Sequence, residues 1–233
     1  MPFRYTRGVL EAFPATRGGV IVASGLVNGP PPATLAAAFE AEQQRVRGHI
    51  GDGPLSEVPS LAAWRRVFSA FGAQPTRYRN AAEALLRRLT KHGSIPSINA
   101  LVDAANLVSI RHALPVAVFD RSGLAGTTTV RFADGSERFT DLGADEATHP
   151  EAGEVVFVDE AGVVCARRWC WRQSDGSAAR EGTTRALITV ESQHDDGGAA
   201  VAAAVADLLD LLAAHQPDAS AESALLGPGR PAF

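Results

Sequence analysis

The chain is poor in the residues that usually announce a chemistry. It has two cysteines, Cys165 and Cys170, five residues apart with no second Cys pair and no nearby His cluster. Neither a disulfide framework nor a zinc site is supported, and a reducing, cytoplasmic setting is expected. The six histidines, His49, His92, His112, His149, His194 and His215, are scattered, and no two stand at metal-ligand spacing. No metal and no cofactor are expected. There is no G-x-S-x-G, no H-E-x-x-H, no Walker loop and no G-x-G-x-x-G. The opening residues "MPFRYTRGVLEAF" contain no apolar h-region, and no uninterrupted apolar run approaches the roughly 18 residues of a membrane span. Neither a leader nor a membrane span is therefore expected. Lysine is almost absent: Lys91 stands alone and arginine carries the remaining basic charge. The net charge of −4 argues against blanket attraction to nucleic acid but leaves local patches possible.

What is present describes a globular protein. Hydrophobic residues make up 45% and charged residues 21% of 233, enough to bury a sizeable core without a staple. "GGVIVASGLV" (18–27) reads as a buried strand, and "NGPPP" breaks the chain after it. Leu35, Ala38, Phe39, Glu42 and Val46 then recur at helical spacing until "GDGP" (51–54). Three more helical patterns follow, Ser60 to Phe71, Tyr78 to Lys91 and Ser97 to His112. From Pro115 the period becomes two, in "PVAVF", "TTTVRFA", "ERFTDL", "EVVFVDE", "VVCARRWCW" and "RALITVE", with hairpin signals at 133–137 and 159–162. A last amphipathic helix covers about Ala199 to His215, and the Pro, Gly and Ala-rich tail after Gln216 is expected to be loosely held. Helices first and a mostly antiparallel sheet afterwards is an α+β fold. Residues 1–59 are expected to extend the same core as 60–216, with 217–233 as a tail, in a monomer.

Three groups of residues could carry function. Between Arg65 and Lys91 there are seven basic residues against Glu83 alone; Arg77, Arg79, Arg87 and Arg88 could clamp an RNA backbone, or form a solvated helix face. In "SINALVDAANLVSI" a helical advance of about 100° per residue brings Asn99, Asp103 and Asn106 to one face, either to hold a ligand or to satisfy neighbouring backbone. The stretch "CARRWCWRQSD" (165–175), read as a strand, sends Arg167, Trp169 and Trp171 to one side and Arg168, Cys170 and Arg172 to the other. The indoles would stack a planar group or belong to the core. Arg168 and Arg172 would reach carboxylates such as Asp175 or Asp103, or await an anion.

The run "RYRNAAEALLRRLTKHGSIPSINALVDAANLVSIRHALPVAVFD", followed by "EVVFVDEAGVVCARRWCWRQSD" and "TTRALITVES", resembles the freestanding B3/B4-domain proteins, over roughly residues 60 to 192. These are relatives of the tRNA-binding and editing module in the beta subunit of bacterial phenylalanyl-tRNA synthetase. In the synthetase that module is a compact α+β domain whose pocket hydrolyses tyrosine wrongly esterified to the tRNA for phenylalanine, and the resemblance implies a fold and pocket of that kind here. It matches Asn99, Asp103 and Asn106 to the helix motif of that module and "LPVAVFD" (114–120) to its pocket strand. The editing-pocket histidine corresponds to Ala117, the Thr before the pocket Asn corresponds to Ala105, and the glycine-rich strand end is replaced by "RRWCWRQSD". Such a pocket should be smaller or differently shaped, favouring a negatively charged or planar group.

The resulting expectation is trans-editing hydrolysis of mischarged aminoacyl-tRNA, with tRNA as the partner. Asn106, Arg168 and Arg172 would be catalytic, by positioning water and donating to the oxyanion. Asn99, Asp103, Trp169, Trp171 and Gln173 would bind substrate. The alternatives are a non-catalytic RNA or tRNA-binding module and a small-molecule binder that kept the fold.

Overall fold

The alternation in the strand Arg185–Ser192 decides the layering. Leu187, Thr189 and Glu191 point to one side, Ala186, Ile188 and Val190 to the other, and both sets are buried. A strand buried on both faces lies inside a sandwich of layers. The computed structural model, which describes residues 2–50 and 53–233, shows those layers; Gly51 and Asp52 of the expected "GDGP" breaker lie outside the described residues.

The elements in chain order are β1 (Phe3–Tyr5), α1 (Arg7–Ala12), β2 (Arg17–Ser24), α2 (Ala33–Ile50), α3 (Pro59–Ala70), α4 (Ala81–His92), α5 (Ala100–His112), β3 (Val116–Asp120), β4 (Thr128–Phe132), β5 (Phe139–Thr140), β6 (Ala147–Thr148), β7 (Val155–Val158), β8 (Val164–Arg167), β9 (Arg172–Gln173), β10 (Arg185–Ser192), α6 (Gly197–His215) and β11 (Ser220–Leu226). A four-stranded sheet runs β11-β2-β10-β3 and a five-stranded sheet runs β1-β4-β7-β8-β9. The fold is α+β.

Each face of the four-stranded sheet builds its own core. Ile21, Ala23, Val118, Ala186, Ile188 and Val190 pack against apolar residues of α2, α4, α5 and α6. Val20, Phe119 and Leu187 pack against the five-stranded sheet, with Trp64 and Phe68 of α3 closing the side. α3 bridges both cores, since Leu61 enters the helix-side cluster. α6 is long and apolar enough in composition to cross a membrane, but Asp207 and Asp210 interrupt its apolar run and its Val201, Ala204, Val205, Leu208 and Leu212 are buried on the sheet.

Two expectations about the chain's organisation change. The tail is not loose, because Ser220–Leu226 pairs with β2 from Ser220↔Ser24 to Leu226↔Gly18, and Phe233 exchanges backbone bonds with Phe3. "VVCARRWCW" is not one strand: β8 ends at Arg167, and Arg168 and Trp169 both take left-handed backbone, with φ of 45° and 61°. The expected division of side chains between two faces of a strand therefore does not occur past Arg167.

The start of α5 explains the polar stripe. The first four N–H groups of a helix have no partner within it, and here all four are accounted for. Ala100 donates to the Gly29 carbonyl, Leu101 to the Asn28 side chain, Val102 to the Asn99 side chain and Asp103 to the Asn99 carbonyl. The Asp103 carboxylate, wholly buried, accepts from the Ser97 hydroxyl and the Ile98 N–H, while the Asn99 amide donates to the Ala179 carbonyl. Asn99 and Asp103 serve the backbone that holds α5 in place. Asp103→Ala should therefore lower unfolding stability by about 2–4 kcal/mol, since two bonds to a buried carboxylate are lost. Urea denaturation reads this, and an unchanged midpoint would contradict the assignment.

Candidate functional site

The side of β10 that faces the second sheet carries a carboxylate where an apolar residue would be ordinary. Glu191 is buried, and its Oε1 accepts from the Tyr5 hydroxyl at 2.7 Å and the Trp169 indole N–H at 2.9 Å. Tyr5 comes from β1 and Trp169 from the turn between β8 and β9, so one oxygen ties the two sheets together. Gly18 stands opposite Glu191 on β2, and a Cβ there would lie 2.3 Å from the Tyr5 hydroxyl oxygen. Glycine at 18 is thus a condition of the Tyr5–Glu191 bond. Both donors use Oε1, which leaves Oε2 for the space beside it.

That space is a cavity of about 80 Å³ between the sheets. Its walls include Ala117 and Phe119 of β3, Phe157 of β7, Trp169, Thr189 and Glu191, with Trp171, Arg172 and Gln173 also contributing. Ala117 pairs with Thr189 across the strands, and its small side chain leaves room there. Burial pushes Glu191 up to about 7, against the pull of the bonds from Trp169 and Tyr5. A carboxyl in that range changes charge near neutrality. Burial also raises both cysteine thiols, so neither supplies a thiolate nucleophile at neutral pH.

Beside the cavity stands the answer to the Arg and Trp density of residues 167–172. The Arg168 guanidinium lies 3.9 Å from the Tyr78 ring centroid and 4.9 Å from that of Trp171. Arg77 covers Tyr78 at 5.1 Å and Arg172 covers Trp171 at 4.7 Å. The two rings meet edge to face at 4.9 Å. Cations and rings thus alternate as Arg77, Tyr78, Arg168, Trp171 and Arg172, each contact favourable by about 0.5–2 kcal/mol depending on desolvation. Ala81, the first residue of α4, donates its N–H to the Cys170 carbonyl, which fixes α4 to the same turn.

Residues 63–197 match the sequence model of the B3/4 domain. The chain belongs to the B3/4 domain family. The crystal structure of an N-terminal fragment of the phenylalanyl-tRNA synthetase beta-subunit from Pyrococcus horikoshii is similar to it, with a TM-score of 0.50 and 12% identity. The match covers 94% of this chain and 50% of that one, so this B3/4 protein spans about half the length of that fragment, and the likeness is one of fold. No curated protein matches the sequence.

Within this B3/4 domain the residues singled out from the sequence go to different places. Ala117, where the resemblance puts the editing histidine, does line the cavity, as do Trp169, Trp171, Arg172 and Gln173. Trp169 belongs to the core, at centroid distances of 5.2 Å from Trp64 and 5.3 Å from Phe13. Gln173 donates to the Val118 and Ser177 carbonyls. Arg172 pairs with Asp141 at 2.6 Å and remains about half exposed.

Other expectations do not hold. Arg168 is buried between Tyr78 and Trp171 and faces Glu154 and Glu151 at 3.7 and 3.9 Å, a consequence of its left-handed backbone, and it does not line the cavity. Asn106 is half-buried on α5, which packs on the opposite, helix-bearing face of the sheet, and it does not line the cavity either. Asn99 and Asp103 are occupied in capping. The basic group divides: Arg77 joins the cation–ring ladder, Arg79 and Arg87 pair with Glu83, and Arg88 is exposed.

Sequence reasoning missed Glu191 and Thr189. The available signal was a lone acid in "RALITVES" at the same parity as Leu187, which places it on an inward face. For stability, an acid held near 7 when folded and at about 4.3 when unfolded keeps a proton in the folded state over that interval. Its contribution is full below about pH 4 and is lost as pH rises through 7. Thermal melts of the native protein should therefore lose on the order of 3 kcal/mol across this window through Glu191. Glu191→Gln should flatten that slope, and an equally steep slope in the variant would contradict the assignment.

Proposed function

We propose that this protein binds the acceptor end of a tRNA and that the cavity between its sheets receives the aminoacyl group, which it removes by hydrolysis. The observation that carries the reading is an apolar cavity with one unshared carboxylate oxygen inside, Glu191 Oε2, and a half-exposed guanidinium, Arg172, among its walls. Membership of the B3/4 family and a fold similar to part of a phenylalanyl-tRNA synthetase beta-subunit support the same direction.

In the proposed step, water attacks the ester carbonyl carbon and gives its proton to Glu191 Oε2. The bond from carbonyl carbon to ribose oxygen then breaks, and the proton passes from Glu191 to the departing ribose oxygen. Arg172, released from the half-buried Asp141, donates to the oxyanion. Arg168 holds Trp171 in place and is a positioning residue. The cavity of about 80 Å³ has little more than half the roughly 150 Å³ that admits benzene in a protein interior. A side chain of a few heavy atoms therefore fits within it, whereas an aromatic ring would extend out through its open side.

Purified protein should accelerate the decay of tRNAs charged with alanine, serine or threonine more than that of tRNAs charged with tyrosine or phenylalanine. The rate should rise with pH through about 7, the value of Glu191, and fall roughly 10²- to 10⁴-fold in Glu191→Gln. Ala117→Leu, which fills the cavity, should abolish the acceleration. A full panel decaying at the buffer rate would remove the reading. The presence of Ala117 where the resemblance puts a histidine favours a second reading, a non-catalytic tRNA-binding module, whose binding would weaken steeply with salt while no ester is lost.

A further inference from the structure

Glu83 lies in the most basic stretch of the chain and its side chain is fully buried. Its Oε1 accepts from Arg65 Nη1 at 2.8 Å and Arg87 Nε at 2.9 Å, and Arg79 Nε approaches to 3.7 Å. Three guanidinium groups thus face one carboxylate, a local surplus of two positive charges. The third guanidinium is held by charge and not by a bond: Arg79 Nε stands 3.7 Å from Glu83 Oε1 and is buried without a hydrogen-bond partner, as is Glu83 Oε2. The net positive charge that remains favours an anion at the outer ends of these side chains.

The outer parts of these side chains reach a groove. Arg79 and Arg87 are 35% and 44% exposed, and both line a groove of about 510 Å³ together with Lys91, Ser56, Thr90 and Pro54. Arg87 and Lys91 are one helical turn apart on α4, which puts their heads side by side. No carboxylate among the described residues lines the groove, and Glu57, the nearest acid on its Gly53–Glu57 wall, borders a neighbouring hollow instead. Guanidinium forks, an ammonium and a serine hydroxyl on one concave surface match the oxygens of a phosphate group.

We propose that this groove, on the α4 side of the Glu83 cluster, is a phosphate-binding site for a phosphomonoester or phosphodiester. Arg79 and Arg87 supply forked donors, Lys91 a point charge, and Glu83 sets the guanidinium positions from below. The proposal does not depend on catalysis in the cavity. Ester decay tests the cavity and phosphate binding tests the groove, so failure of either can be told from failure of the other.

The full chain is titrated with inorganic phosphate, with a nucleoside 5′-monophosphate and with an oligoribonucleotide lacking terminal phosphates, each against chloride at equal ionic strength, by calorimetry and by shift of the melting temperature. The expected result is saturable phosphate binding that weakens at least about tenfold in Arg79→Gln/Lys91→Gln, because two charge-assisted contacts are lost. It should change less than about twofold in Arg66→Gln/Arg138→Gln, which removes the same charge from exposed positions outside the groove. Lys91→Gln alone, at an exposed side chain, should weaken binding by roughly threefold or more even if the double variant is unstable. Oligoribonucleotide binding that is lost together with phosphate binding identifies RNA as the source; binding confined to phosphate and the mononucleotide identifies a small phosphorylated ligand. Phosphate no more effective than chloride, or equal weakening in both double variants, would overturn the proposal.

Discussion

A single buried carboxylate holds the two sheets of this protein in register. Glu191 stands on β10, at the centre of one sheet, and its Oε1 is shared by Tyr5 from an edge strand of the other sheet and Trp169 from that sheet's last turn. A polar group so deeply placed is tolerated only when hydrogen-bonded. The two donors do that, yet they do not cancel the effect of burial, and the group is left with a proton affinity close to neutrality. The cavity exists because the same contact keeps Trp169 on one side and leaves Oε2 uncovered on the other. The absence of a side chain at Gly18 permits the contact, and Ala117 leaves the volume beside it.

The turn that follows β8 is the price of that arrangement. Two consecutive non-glycine residues in left-handed backbone store on the order of 1–3 kcal/mol each. The surroundings compensate by packing Trp169 among Trp64 and Phe13 and by placing Arg168 between two rings with Glu154 beneath it. Glu154 is itself bound by the Arg167 side chain and the Arg168 N–H. The arginines and tryptophans of this stretch are therefore divided in labour. Arg167, Arg168 and Trp169 hold the turn, while Trp171 and Arg172 face the cavity from it.

Much of the architecture was legible because it depends on local periodicity. The helices at 33–50, 59–70, 81–92, 100–112 and 197–215 carry apolar residues at helical spacing, and the inward alternation of "RALITVE" and "PVAVF" appears as β10 and β3. The strand at 220–226 was not legible: it is an edge strand with mostly exposed side chains, so it lacks the alternation that burial imposes. The turn at Arg168 and Trp169 was not legible either, because no Gly or Asn marks the positive φ. The stripe of Asn99, Asp103 and Asn106 was visible as a stripe. Its division into two capping residues and one half-buried amide depends on Asn28, Ala179 and Ser97, which lie elsewhere along the chain or in the preceding loop.

By itself the sequence determined the order and type of most elements, the absence of familiar nucleophile and metal signatures, and the resemblance that places a pocket near Ala117. These properties follow from residue type and spacing over a few turns of chain, where steric and hydrophobic preferences act locally. Only the tertiary structure decided which polar residues face the pocket and which are consumed in holding the fold. Whether Glu191 meets Tyr5, 186 residues away, or Glu83 gathers Arg65, Arg79 and Arg87 around it, depends on how separate layers pack. A charge acquires its chemistry from the neighbours and the dielectric that packing brings to it.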